Sequence, residues 1–196
     1  MSLWGATDSD ESKPKNLTTA EKKQVFANSS GWVLEAGSSL SGNDNTSATP
    51  EVLVAIGGLA TSIGAADVTE VEWITTAADK SAGFTLSVRV RYNEAVTVTG
   101  SPTIAVTNGN EGSGTGRGPH TLVYASGTGT NELVFSLAIA AANAATNADD
   151  VLSIGAQNVL KPGGATIKDT AGTNSDSAVA ISGAQGTAAG TLTVVA

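Results

Sequence analysis

The sequence predicts an all-β protein: an antiparallel β-sandwich preceded by an extended arm, one short helix and a small β appendage. Three observations carry this. In FTLSVRVRY (84–92), Phe84, Leu86, Val88, Val90 and Tyr92 alternate with Thr85, Ser87, Arg89 and Arg91. In ELVFSLAI (132–139), Leu133, Phe135, Leu137 and Ile139 repeat the alternation. A period of two is that of a strand with one face buried and one face wet. Third, Gly-, Ser- and Thr-rich segments separate such runs, as turns do in an antiparallel sheet.

In chain order, residues 1–16 form a polar arm whose large apolar group is Trp4. A tryptophan there either folds back on its own domain or anchors the arm to a neighbouring subunit. Residues 18–27, TTAEKKQVFA, are expected to form a short helix, because Thr18 and Glu21 match the S/T-x-x-E capping box. A helix this short needs a surface to lie on. Residues 31–34 and 51–56 are expected strands, separated by the loop 37–50. Residues 1–66 are therefore read as a docking segment of arm, helix and short strands.

The sandwich is assigned to residues 67–183. Its expected strands are 68–74, 84–92, 95–98, 103–106, 122–125, 132–140, 151–154, the region about 166–167, and 177–181. Residues 109–120, GNEGSGTGRGPH, read as an exposed, mobile Gly-rich loop. Residues 184–196 read as a flexible linker and a terminal strand, 191–195. That strand would pair with the N-terminal strands or, by β-addition, with another chain.

Composition narrows the function. The chain has 196 residues with 4% aromatics and 14% charged residues, so its core is expected to be thin and built of Val, Ile and Leu. The net charge of −8 repels phosphate and argues against nucleic acid as a partner. There are no cysteines, so disulfides and thiolate metal sites are excluded. The N-terminus shows no apolar signal-peptide core, and no apolar run approaches the roughly 20 residues of a membrane span. No membrane partner is expected.

Candidate chemistry is thin. His120 is the single histidine, and no nucleophile elbow accompanies it. Glu70 with Glu72, Asp149 with Asp150, and Asp8 with Asp10 pair carboxylates, and solvated charge explains them better than a sugar-cleaving groove. Asp149, Asp150, Asp169 and Asp176 fall in loops where calcium is conceivable, although no calcium-loop motif is present. GSGTGRG (112–118) lacks the strand, helix and G-K-[ST] of a phosphate loop. The expectation is no enzyme, no catalytic residue, no metal and no cofactor.

Two stretches carry a resemblance. Glu94, Val96, Val98, Thr99, Gly100 and Pro102 come first, then Tyr124, Ser126, Gly127, Gly129, Thr130, Leu133 and Phe135, then Gly163, Gly164, Ile167, Asp169, Ala171 and Gly172. In this order they resemble a bacterial Ig-like domain of large surface proteins and adhesins, over about residues 68–182. The resemblance implies an Ig-like sandwich and transfers no catalytic residue. Near the start, SLWG, KPKNLT-x-x-EK and GWV (about 2–33) are similar to the N-termini of small virion structural proteins of marine tailed phages. Together they imply a virion protein, assembled in the host cytoplasm, most simply a capsid decoration protein displaying an Ig-like domain. The alternative is a tail- or fibre-associated adhesin module binding a host surface. The implied partners are the major capsid protein or tail and neck proteins, copies of the chain itself, and weakly a host-surface glycan. Trp4, Leu17, Val25, Phe26 and Trp32 are the expected interface residues.

Overall fold

The structure, a computed structural model, describes residues 17–18, 20–28, 31–55, 65–109, 118–143, 145–170 and 177–196. The described residues are 49% strand and 9% helix, an all-β, sandwich-like fold, as expected.

The first elements differ from expectation. The Thr18–Glu21 capping box forms: the Thr18 N–H donates to Glu21 Oε2 at 2.7 Å and the Glu21 N–H to Thr18 Oγ1 at 3.3 Å. These bonds hold the exposed Glu21 carboxyl below its usual range. The helix they start is only a 3₁₀ turn, Glu21–Gln24. Val25–Asn28 is a strand, β1, antiparallel to β2, Gly31–Leu34. Val25 and Phe26 suit a pleated sheet, and cross-strand pairing outweighs one cap. β3, Glu51–Ala55, pairs with the other edge of β2. Val25, Trp32 and Leu34, with Leu17 and Val54 against them, form a small apolar cluster of their own.

The main body is a curled nine-stranded sheet. Its strands are β4 (Val68–Trp73), β5 (Ala78–Asp79), β6 (Phe84–Thr99), β7 (Thr103–Asn108), β8 (His120–Ser126), β9 (Thr130–Ile139), β10 (Val151–Ser153), β12 (Thr166–Asp169) and β14 (Thr191–Val195). β11 (Gln157–Asn158) and β13 (Ala180–Ile181) form a separate pair. The order is β12-β6-β9-β8-β7-β10-β14-β5, with β4 also on β6.

β6 is the spine. The expected strands 84–92 and 95–98 are one 16-residue strand, because the inward alternation runs on through Glu94 to Val96. β9 lines one edge of β6; β4 and then β12 share the other. Leu86, Val88, Val90, Val96, Leu133 and Phe135 are fully buried in the sandwich core, and Tyr124 meets Phe135 edge-on at 6.2 Å. At about 25 cal/mol per Å² of apolar surface, such burial is the main favourable contribution to the fold.

The C-terminal expectation is also corrected. Residues Gly183–Ala189 form a helix, α1, rather than a flexible linker. Ser182 and Gln185 make its capping box, with bonds of 2.7 and 3.2 Å. β14 does not join the described N-terminal strands: it runs antiparallel to β10 and parallel to β5 within the main sheet. Among the described residues no helix is long and apolar enough to cross a membrane.

Candidate functional site

The small sheet β1–β3 meets the main sheet over a cluster of charge. Glu70, Arg91 and Glu132 lie in one row across β4, β6 and β9; Glu72 and Arg89 form the next row. Cross-strand opposite charges of this kind attract. Arg91 Nη1 lies 2.6 Å from Glu35 Oε2 and 2.7 Å from Glu132 Oε1, and Arg91 Nη2 lies 3.1 Å from Glu72 Oε1. Arg91 Nη1 also donates to the Lys23 carbonyl at 3.3 Å, and Lys23 pairs with Glu70. Arg89 contacts Glu72 at 3.0 Å and Glu132 at 3.4 Å. Glu35 and Lys23 come from the small sheet's side, so the cluster ties the two sheets together.

This corrects the reading of 84–92. Arg91 sits on the face opposite the core, but it is only 7% exposed. Period two separates two faces; it does not say that the second is wet. Burial works against the Arg91 charge, yet Glu132, Glu35 and Glu72 more than offset it and raise its pKa. Glu70 and Glu72 likewise belong to the cluster, not to a solvated face.

His120 lies in a second polar group, where β7 ends and β8 begins. Its Nε2 is 2.9 Å from Thr146 Oγ1. Asn108 Nδ2 donates to Asp150 Oδ2 at 2.7 Å and to the Ala145 carbonyl at 3.2 Å, and the Asn147 N–H donates to the same Asp150 oxygen at 2.8 Å. His120, Thr146, Asn108 and Asp150 are all buried. Buried and hydrogen-bonded, they pin the loop before β10 against β7 and β8.

Among the described residues the loop carboxylates do not gather into a metal site. Asp149 is exposed with φ 67°, Asp150 is held in the polar group just described, and Asp169 is buried at the end of β12. Asp176 and the loop residues 110–117 lie outside the described residues. Among the described residues no group of three or more His, Cys, Asp or Glu is placed to hold a metal ion.

Of the five expected interface residues, Trp4 lies outside the described residues. Val25, Phe26 and Trp32 are buried within the chain, and Leu17 packs partly buried against Val25 and Trp32. The apolar surface of Val25, Trp32 and Leu17 stabilises the small sheet itself. The apolar side chains that do reach solvent are elsewhere. Val52 (46% exposed) and Leu53 (38%) stand on β3, whose second edge pairs with no strand among the described residues. Leu160 (61%) and Val123 flank Thr103 across adjacent backbone pairings, an outward row that continues to Ser136 and Ser87. A sequence signal for β3 existed: EVLVA follows a proline and carries no charge after Glu51, unlike most protected edges.

The fold and these sites define a class: an all-β, sandwich-like protein with a small sheet docked on its outer face through buried charge. Comparison of the chain with protein-family models, with curated proteins and with solved structures finds no match.

Proposed function

We propose that this chain is a structural protein of a phage particle, a capsid decoration protein whose Ig-like sandwich projects from the shell and which acts by contact rather than catalysis. Two resemblances support the reading, that of about residues 68–182 to Ig-like surface domains and that of about 2–33 to small virion proteins. The observation that carries it is the small sheet's outer strand: Val52 and Leu53 expose apolar surface on an edge that pairs with no strand among the described residues. Such an edge suits pairing with the capsid protein or with another copy. Many modest contacts on a symmetric lattice then hold each subunit by avidity. The acidic surface keeps particles apart in solution and disfavours nucleic acid.

The alternative, a tail- or fibre-associated adhesin module, is favoured by the outward row of Leu160, Thr103, Val123, Ser136 and Ser87, an uncharged row of the kind that can contact a host glycan.

Copy number and position in a particle map separate the two readings. Hundreds of copies over the head support decoration; a few copies at the tail tip overturn it. A Val52→Asp, Leu53→Asp double variant tests the edge: it should fold as a soluble chain yet lose its place on particles.

A further inference from the structure

The two apolar clusters are separate. Val25, Trp32 and Leu34 stabilise the small sheet, while a distinct core fills the sandwich. Between them stands the charged cluster. From the small sheet's side come Glu35, after β2, and Lys23, in the 3₁₀ turn; from β4 come Glu70 and Glu72; from β6, Arg89 and Arg91; from β9, Glu132. Four carboxylates thus face three cations, and Arg91 serves all four carboxylates at once. No carboxylate has that guanidinium to itself.

We propose that the small sheet is a proton-tightened latch, whose hold on the sandwich strengthens in mild acid and weakens toward neutral pH through the Glu35–Arg91 contact. Geometry supplies the reason. Docking carries the Glu35 carboxylate out of water and places it beside an arginine already neutralised by Glu132, Glu72 and Glu70. A proton on Glu35 removes the excess negative charge and leaves Arg91 with three carboxylate partners.

The titration behaviour agrees. Burial pushes the Glu35 carboxyl up from its ordinary value, Arg91 draws it down, Glu132 pushes it up again, and the net direction is upward. A carboxyl raised in the docked form takes up a proton on docking. Its contribution to docking is therefore fully present below the ordinary Glu value of 4.5 and is lost as pH rises through the raised docked value. Acid commonly loosens ion-paired surfaces; here the first proton fastens one.

Amide hydrogen exchange on the full chain, corrected for intrinsic rates, tests this at about pH 5, close to the ordinary Glu value, and at about pH 7.5, well above it. Amides of β1 and β2 should be at least about twofold better protected at the lower pH, while amides of β9 should hold steady as the internal reference. In Glu35→Gln the β1 and β2 protection should be the same at both values and no weaker than the wild type at pH 7.5. Equal or weaker wild-type protection at about pH 5 overturns the proposal. So does a Glu35→Gln chain that keeps the wild-type pH response. Should the variant fail to protect β9, the wild-type series decides alone.

Discussion

Arg91 and Glu132 are directly opposed across β6 and β9, with Nη1 2.7 Å from Oε1, and Glu70 opposes the same arginine from β4. Arg89, two residues away on the same face, keeps a side chain about a third exposed. Removing a buried partner strands the charges left behind, at roughly 3–5 kcal/mol, whereas an exposed pair contributes about 0–1 kcal/mol. Arg91→Met should therefore cost several times more stability than Arg89→Met. Urea unfolding of the two variants measures the difference; equal losses would mean that the small sheet does not shield Arg91.

Tyr92 fills the core with a hydroxyl that has no hydrogen-bond partner among the described residues. Burial pushes its phenol well above the ordinary tyrosine range. An unpaired buried hydroxyl carries a desolvation cost of about 1–3 kcal/mol, so Tyr92→Phe should leave stability unchanged or raise it. A lower denaturation midpoint in the variant would show a partner for the hydroxyl.

The β8–β9 hairpin turns on two glycines that differ in their surroundings. Gly127 has φ 111°, and a Cβ there would collide with the Glu132 carbonyl. Gly129 has φ 82° and open space around it. Gly129→Ala should cost only the left-handed backbone penalty, about 1–2 kcal/mol. Gly127→Ala should cost clearly more, read as the difference in thermal midpoint between the two variants.

Ser182 caps α1, and Gln185 both closes the cap and donates from Nε2 to the Val68 carbonyl at 2.8 Å. Loss of a serine cap costs about 1 kcal/mol. Ser182→Ala should lower stability by that amount. Gln185→Ala should cost more, because it also frees the helix from β4. Calorimetry on both variants checks the order.

Legibility in the sequence followed one physical rule. Strands with one face in the core, such as β6 and β9, announced themselves through Leu86, Val88, Leu133 and Phe135, because burial imposes the period. The cover over the opposite face did not. Glu35 and Lys23 approach Arg91 from far upstream, and no local pattern in VRVRY records who will come to it. The small sheet was half legible: β2 and β3 were expected, but Val25 and Phe26 were assigned to a helix, since a capping box is a local signal and strand pairing is not. α1 carried its own signal in Ser182 and Gln185, masked by Gly183 and Gly186. Gly186 is there because its Cα passes so close to the Ile154 carbonyl that a side chain would collide. Val25, Phe26 and Trp32, expected at an interface, proved buried within the chain for a related reason. Trp32 and Val25 are the kind of residues that bind partners, but the small sheet needs them first.

The order of β6's partners has a consequence in time. Synthesis runs from the N-terminus, so β6, residues 84–99, emerges with β4 already made but with β9 and β12 still to come. β5 waits longer, for β14 at 191–195. The small sheet, by contrast, closes on neighbours within residues 25–55. A nascent chain thus carries a completed small sheet while the long edges of its spine stand open. Non-local pairing of this kind is slow, and open edges invite other strands. Where many copies are made at once, the interval before β9 and β12 arrive is when mispairing threatens the spine, and β14 closes the last open pairing, that of β5 and β10.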